Sequence, residues 1–481
     1  MGLFRKKSDS SSVTATDGDN RHQALDHDEK KIESKRGSDG QFGKQRSASI
    51  SEGEAKYKRL SWKKLTICLI VEAIALGSLS IPSVFAETGL VAGVILCVGL
   101  GLIAIYTSYL VGQVKLRHPE IEHYSDAVGL CWGRFGKELA GVMFLLLLIL
   151  LVGGHTLTGT IAFIRIVNKP TLCALIWGGV SAILLYILAL PPSFAEFAIL
   201  GYIDFASIII AIGITIVATG VSASQSPGGL SAVEWSVWPP EGVTFASAFL
   251  SCTNIIFAYS FAVCQFSFMS EMHTPKDYVK SIWALGLIEI FIYTLTGALV
   301  YVFVGNEVES PAILSAGFTV SRVAFGIALP VIFISGSINT TVACRYLIHR
   351  IFPKDNAIRY TNTPMGWIVW ASFCLIATVI AWVIAEAVPF FNDLLGLISS
   401  LFISGFSFYF PALFWFCLLK EGKWNHGWKN ICLSIINASI FVMGVAILGC
   451  GAYASAKDIA DRYASKKVGS PFGCSSEQYM S

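Results

Sequence analysis

From residue 65 to residue 454 the chain alternates eleven apolar runs with short polar connectors. The runs cover 65–86, 89–113, 139–162, 172–190, 196–220, 244–268, 281–304, 318–342, 366–388, 394–417 and 431–454. Each approaches the roughly 20 residues a helix needs to cross a hydrocarbon core. The pattern therefore predicts an all-α membrane protein. Residues 1–64 read differently, being rich in Ser, Asp, Lys and Gly and poor in aromatic and branched apolar residues. Such a segment buries too little surface to fold and is expected to be disordered. The predicted organisation is a tail over 1–64, a helical domain over 65–455 and a short C-terminal tail over 456–481.

The first run is interrupted. Leu65–Ala86 carries Gly77-Ser78-Leu79-Ser80-Ile81-Pro82 at its centre and Glu72 one turn earlier. Gly and Pro weaken helical hydrogen bonding, and in lipid every backbone amide must still find a partner. A break at membrane depth survives where it faces protein, water or a ligand, and its freed amides and carbonyls then form a polar binding site. The sixth run carries a softer interruption, with small and hydroxyl residues (Ser251, Thr253, Ser260) set among Phe257, Ala258, Tyr259 and Phe261, and no Gly or Pro. Interrupted segments at corresponding positions of two five-span halves point to a transporter site. A helix–helix interface rich in small residues reads the same way at run 6.

Composition sharpens the class. Of 481 residues, 54% are hydrophobic and 14% charged, where a soluble chain would carry about a quarter charged. The net charge of +3 points to no nucleic acid. Eight His and twelve Cys form no C-x-x-C or H-E-x-x-H pattern, and most Cys sit inside apolar runs as small hydrophobes. No metal or cofactor is expected, and no motif indicates an enzyme. The tail holds 15 Lys and Arg against 10 Asp and Glu, a surplus of five. It offers basic patches to membrane lipid and Ser and Lys positions to regulatory kinases or a ubiquitin ligase, although a plain solvated tail fits equally.

Charge also predicts orientation. With the N-terminus inside, the inner loops hold 13 Lys and Arg and the outer side holds three, Arg165, Lys169 and Arg322. The N-terminus is then cytoplasmic and, with an odd number of spans, the C-terminus extracellular. Lys457, Arg462, Lys466 and Lys467 run against this rule.

The stretch His118-Pro119-Glu120-Ile121-Glu122-His123-Tyr124-Ser125-Asp126-Ala127-Val128-Gly129, followed by Gly133-Arg134-Phe135-Gly136, together with the Gly77–Pro82 break, resembles the amino acid/auxin permease family. More narrowly, it resembles the fungal neutral amino acid permeases of the methyltryptophan-resistance type. The resemblance covers roughly 56–455. It implies a LeuT-like 5+5 inverted repeat with an additional eleventh transmembrane helix. It also implies secondary uptake of neutral aliphatic and aromatic amino acids, driven by protons in the fungal members; the sequence does not read out the membrane address, and the plasma membrane is the expectation.

A zwitterionic substrate needs opposite dipoles at its two ends. Amides at Gly77, Ser78, Leu79 and Ser80 suit the carboxylate, and carbonyls near Phe257, Ala258 and Tyr259 suit the ammonium. Phe257, Tyr259 and Phe261 could bound an apolar side-chain pocket, or simply pack. Ionisable groups inside spans are costly and so mark coupling candidates: Asp204 and Glu72 first, then His155 and Glu289. Glu386 reads as interfacial. The family's cation site between spans 1, 5 and 8 would draw on Asp204 with Ser335, Ser337, Thr340 and Thr341, so sodium stays open beside the proton. Export from a vacuole and non-transporting amino acid sensing are the alternative functions.

Overall fold

The Ser61 side chain starts the first helix by accepting the Lys64 amide at 3.4 Å, which satisfies one of the donors a helix leaves free at its N-terminus. In the computed structural model the described residues are 60–169, 171–192, 194–353, 355–423, 427–464, 472–476 and 479. Most of the predicted N-terminal tail therefore lies outside them. No strand forms among the described residues; one isolated bridge pairs Leu60 with Met272.

The helices follow the apolar runs. Span 1 is Trp62–Thr88, span 2 Leu90–Arg117, span 3 Tyr124–Val167, span 4 Ala174–Leu188 and span 5 Phe194–Gln225. Span 6 is Phe245–Ala258 resumed at Gln265–Ser270, span 7 is Tyr278–Val304, span 8 Phe318–Ile351 and span 9 Pro364–Ala387. Span 10 is Phe391–Ile403 with Gly405–Leu419, bent by 40°, and span 11 is Gly427–Ala464. Seven are single helices of membrane length and spans 1 and 10 are bent pairs; spans 4 and 6 contribute shorter apolar helices.

Corresponding spans pack against one another. Span 1 lies on span 6, span 2 on span 7, span 3 on span 8 and span 4 on span 9. Two five-span halves folded about one centre give this pairing. Span 5 packs on spans 1 and 8. One continuous core of buried apolar side chains runs through most of these helices.

Three boundaries differ from the sequence pattern. Span 3 runs for 44 residues, about twice what a bilayer needs. It is divided at Trp132 and Gly133, where Gly133 adopts φ 63°, so a lead-in helix precedes the membrane helix proper. Span 11 continues through Ala464, which makes Lys457 and Arg462 helical rather than part of the tail. The bend of span 1 falls between Trp62–Val71 and Leu76–Thr88, at 52°, one turn before the predicted Gly77–Pro82. Gly77 through Pro82 are helical. Pro82 lacks the N–H that would bond the Ser78 carbonyl, yet the helix runs through it.

Candidate functional site

Gly77 serves close approach rather than unwinding. A Cβ there would stand 2.8 Å from the Cα and Cβ of Ala258 and 3.2 Å from the Tyr293 hydroxyl. Spans 1 and 6 therefore cross in near contact, as only a residue without a side chain allows. Ala258 is also where span 6 stops. Tyr259 leaves the helical region at φ −97° and ψ 32°, Ser260–Ala262 form a single 3-10 turn, and the helix resumes at Gln265. The softer of the two predicted breaks is thus the more complete one.

Tyr293 of span 7, which the sequence reading did not single out, organises this crossing. Its hydroxyl lies 3.2 Å from the Ala73 carbonyl at the bend of span 1 and 3.2 Å from the Ala258 carbonyl at the end of the first part of span 6. A phenol has one hydrogen and donates to one carbonyl at a time. The ring of Tyr259 meets Tyr293 edge-on, with centroids 5.2 Å apart. The Tyr259 hydroxyl is buried without a hydrogen-bond partner among the described residues, as is the Ser78 hydroxyl. The sequence signal for Tyr293 was weak: one of three tyrosines in an apolar helix, one turn from Glu289.

The substrate-site candidates are brought together. Gly77, Ser78, Leu79 and Ser80 open the second part of span 1, and Phe257, Ala258, Tyr259 and Phe261 flank the break in span 6, all buried. The Ser80 hydroxyl is occupied by the Gly77 carbonyl at 3.0 Å. A cavity of about 310 Å³ descends from the face opposite the N-terminal end of span 1 and reaches Ser251 and Asn254, one turn from Ala258. The Asn254 side-chain amide oxygen is buried there without a partner among the described residues.

The coupling candidates divide. Asp204 is fully buried in span 5, and neither carboxylate oxygen has a hydrogen-bond partner among the described residues. Glu289 is fully buried in span 7. His155 of span 3 lies 3.3 Å from the Ser335 hydroxyl of span 8. Ser337 and Thr340 instead bond the carbonyls of Ile334 and Gly336 at 2.7 and 3.2 Å in their own helix, a usual way to hold a hydroxyl in an apolar helix. The Thr341 hydroxyl has no hydrogen-bond partner among the described residues. The Glu72 side chain lies outside the described residues.

Glu386 departs from its interfacial reading. It is buried at the opposite face, bonded by the Trp382 indole at 3.1 Å and by the Tyr479 hydroxyl. Cys173 and Cys474 form a disulfide beside it. Treating the cysteines as packing residues missed this pair, whose sequence separation of 301 hides it.

Residues 58–456 match the family described as transmembrane amino acid transporter protein. The chain belongs to this family. A Neurospora crassa protein named "N amino acid transport system protein" is 60% identical over 424 residues, covering 88% of this chain and 90% of that one. Arabidopsis thaliana "Amino acid permease 2" is 23% identical over 438 residues, covering 80% and 85%. Among solved structures, the nucleobase-cation-symport-1 family transporter MHP1, in a closed conformation with bromovinylhydantoin bound, covers 85% of this chain and 94% of its own at 13% identity and a TM-score of 0.47. As a transmembrane amino acid transporter, the chain moves its substrate through the membrane, and the crossing of spans 1 and 6 is its candidate site.

Proposed function

We propose that this transporter is a proton-coupled symporter of neutral aliphatic and aromatic amino acids, working by alternating access at the plasma membrane. The observation that carries the reading is the meeting of the Ala73 and Ala258 carbonyls at one neutral hydroxyl. Main-chain carbonyls of that kind suit a substrate ammonium, and the amides that open the second part of span 1, around Gly77–Ser80, suit its carboxylate. Phe257, Tyr259 and Phe261 would bound the apolar side chain.

Asp204 is the first candidate to carry the proton, because a buried carboxylate lacking a partner is costly to keep ionised. Glu289, His155 and Glu72 follow it. The disulfide supports the proposed orientation. Disulfides persist on the oxidising side of a membrane, and Cys173–Cys474 joins the loop after span 3 to the C-terminal segment. That loop lies across the membrane from the N-terminal end of span 1, which would place the N-terminus in the cytoplasm and the C-terminus outside. Regulation through the N-terminal tail, by kinases or a ubiquitin ligase, belongs to the same reading.

The test is uptake of labelled phenylalanine or leucine into cells without their own permeases, at outer pH of about 5 and about 7, a range that brackets a raised carboxylate. A protonophore is present or absent. Faster uptake at acid pH, abolished by the protonophore and made pH-independent by Asp204→Asn, is the expected result. No uptake at either pH despite surface expression would overturn it in favour of a sensor or an internal-membrane exporter.

A further inference from the structure

A cavity of about 810 Å³ opens on the face where span 1 begins, away from the crossing of spans 1 and 6. In its wall the loop before span 3 meets the end of span 8. We propose that Glu122, His123 and His349 form a binding site there for a divalent transition-metal ion, zinc foremost.

The donor atoms already converge. His123 Nε2 lies 3.0 Å from His349 Nδ1, and His349 Nδ1 lies 3.4 Å from Glu122 Oε2. All three donors fall within 4.8 Å of one another. A tetrahedral zinc with ligands at about 2.0–2.1 Å holds its donors roughly 3.3 Å apart. Two of the three edges are near that length, and the third is no longer than 4.8 Å. Two imidazoles and one carboxylate are a donor set zinc favours, with the fourth position left to water from the cavity.

The surroundings orient these ligands. The second nitrogen of His123, Nδ1, lies 3.2 Å from the Ser267 hydroxyl, which fixes the ring and leaves Nε2 facing His349. Arg359 pairs with the Glu122 carboxylate and also bonds the carbonyls of His349 and Phe352 at 3.0 and 3.1 Å. Arg345 also approaches the imidazoles and opposes a cation. The cavity as a whole is balanced, its four carboxylates matching its four Lys and Arg. It also gives an ion a path in.

An ion bound here would tie the loop before span 3 to span 8, with Ser267 of span 6 directly behind. It would hold this face closed and inhibit transport. That consequence rests on the transport reading, whereas binding itself does not.

The experiment titrates zinc into the purified full-length protein against a chromophoric chelator, then repeats the titration with cobalt. One ion per chain is expected, with cobalt showing the visible spectrum of a tetrahedral nitrogen–oxygen site. His349→Gln and Glu122→Gln should weaken binding by roughly tenfold or more, and the milder Ser267→Ala by about tenfold, as loss of an orienting partner does. Ser267→Ala keeps the test alive if the other variants fail to fold. Absence of one-to-one binding, or binding unchanged in all three variants, overturns the site. In proteoliposomes, zinc at this face should slow uptake by the parent and not by His349→Gln. Binding without inhibition would overturn the clamp alone. No uptake even without zinc would count against the transport reading and leave the titration to judge the metal site.

Discussion

The two faces of the transporter are held by different kinds of bond. At the face where span 1 begins, contacts are ionic and polar and run between groups of helices. Arg345 of span 8 pairs with Glu271 just after span 6, and Leu60 bonds the backbone of Glu271 and His273 at 3.0 Å each. His123 reaches Ser267, and Arg359 reaches Glu122. At the opposite face the strongest tie is covalent and joins the segment that follows span 11 to the start of span 4. Cys173–Cys474 and Tyr479–Glu386 bind the C-terminal segment to the ends of spans 4 and 9 at this face. The ion pair there, Arg462–Asp393 at 2.9 Å, joins spans 10 and 11. Reversible contacts join the helices at the first face, and a permanent bond straps the second.

The sharpest way to break the comparison is Arg345→Ala. Arg345 is about 9% exposed and Glu271 about 2%, so the substitution strands a buried carboxylate. The expected cost is about 3–5 kcal/mol, read as a large loss of thermal stability in detergent. Replacing both residues with Leu should recover most of that stability, since a well-packed apolar pair often equals a buried ion pair. If the pair also closes this face, the double variant folds but transports poorly. Full transport by the double variant would show that this ion pair has no part in closure.

Cys474→Ser tests the other face. Removing the bridge should cost about 2–4 kcal/mol, again read by thermal unfolding. Because the bond does not touch the crossing of spans 1 and 6, KM for the amino acid should stay within about a factor of two, a change near 0.4 kcal/mol. A large rise in KM would mean that the strap does reach the substrate path.

These differences bear on what the sequence could reveal. The helices were legible because lipid demands long apolar runs, and runs 1 and 6 were legible as broken because Gly, Pro and hydroxyl residues sat at mid-span. The location of the span 1 bend was not, because Gly77 admits two uses: it permits unwinding, and it permits a close crossing. The structure uses it for the crossing. Asp204 could be found because an ionisable group inside an apolar run stands out. Tyr293 could not, because tyrosine is common in such helices and its role depends on two carbonyls from other spans. The disulfide and the Glu122–His123–His349 cluster were hidden for the same reason, since their members are brought together by folding across long separations.

Gly77→Ala moves the comparison to the centre, where the two groups of helices meet. The added methyl would press on Ala258 at 2.8 Å, and overpacking of this kind costs about 1–3 kcal/mol. Expression should persist while uptake falls steeply, because the strain is placed on the crossing itself. Normal uptake by this variant would mean that spans 1 and 6 separate easily and that their contact is incidental to transport.

Tyr293→Phe is the smallest change and the most specific. It keeps the ring against Tyr259 and removes only the hydroxyl shared by Ala73 and Ala258. A neutral hydrogen bond is worth about 1 kcal/mol net, which corresponds to roughly a fivefold change in KM. If the hydroxyl holds the two carbonyls in place for a substrate ammonium, KM should rise by that amount with little change in stability. If the hydroxyl competes with the ammonium for the same carbonyls, KM should fall instead. The sign therefore distinguishes a site assembled in advance by span 7 from one that the substrate must free. An unchanged KM would place the ammonium elsewhere, because no occupant of those carbonyls could be indifferent to the loss of the donor 3.2 Å from both.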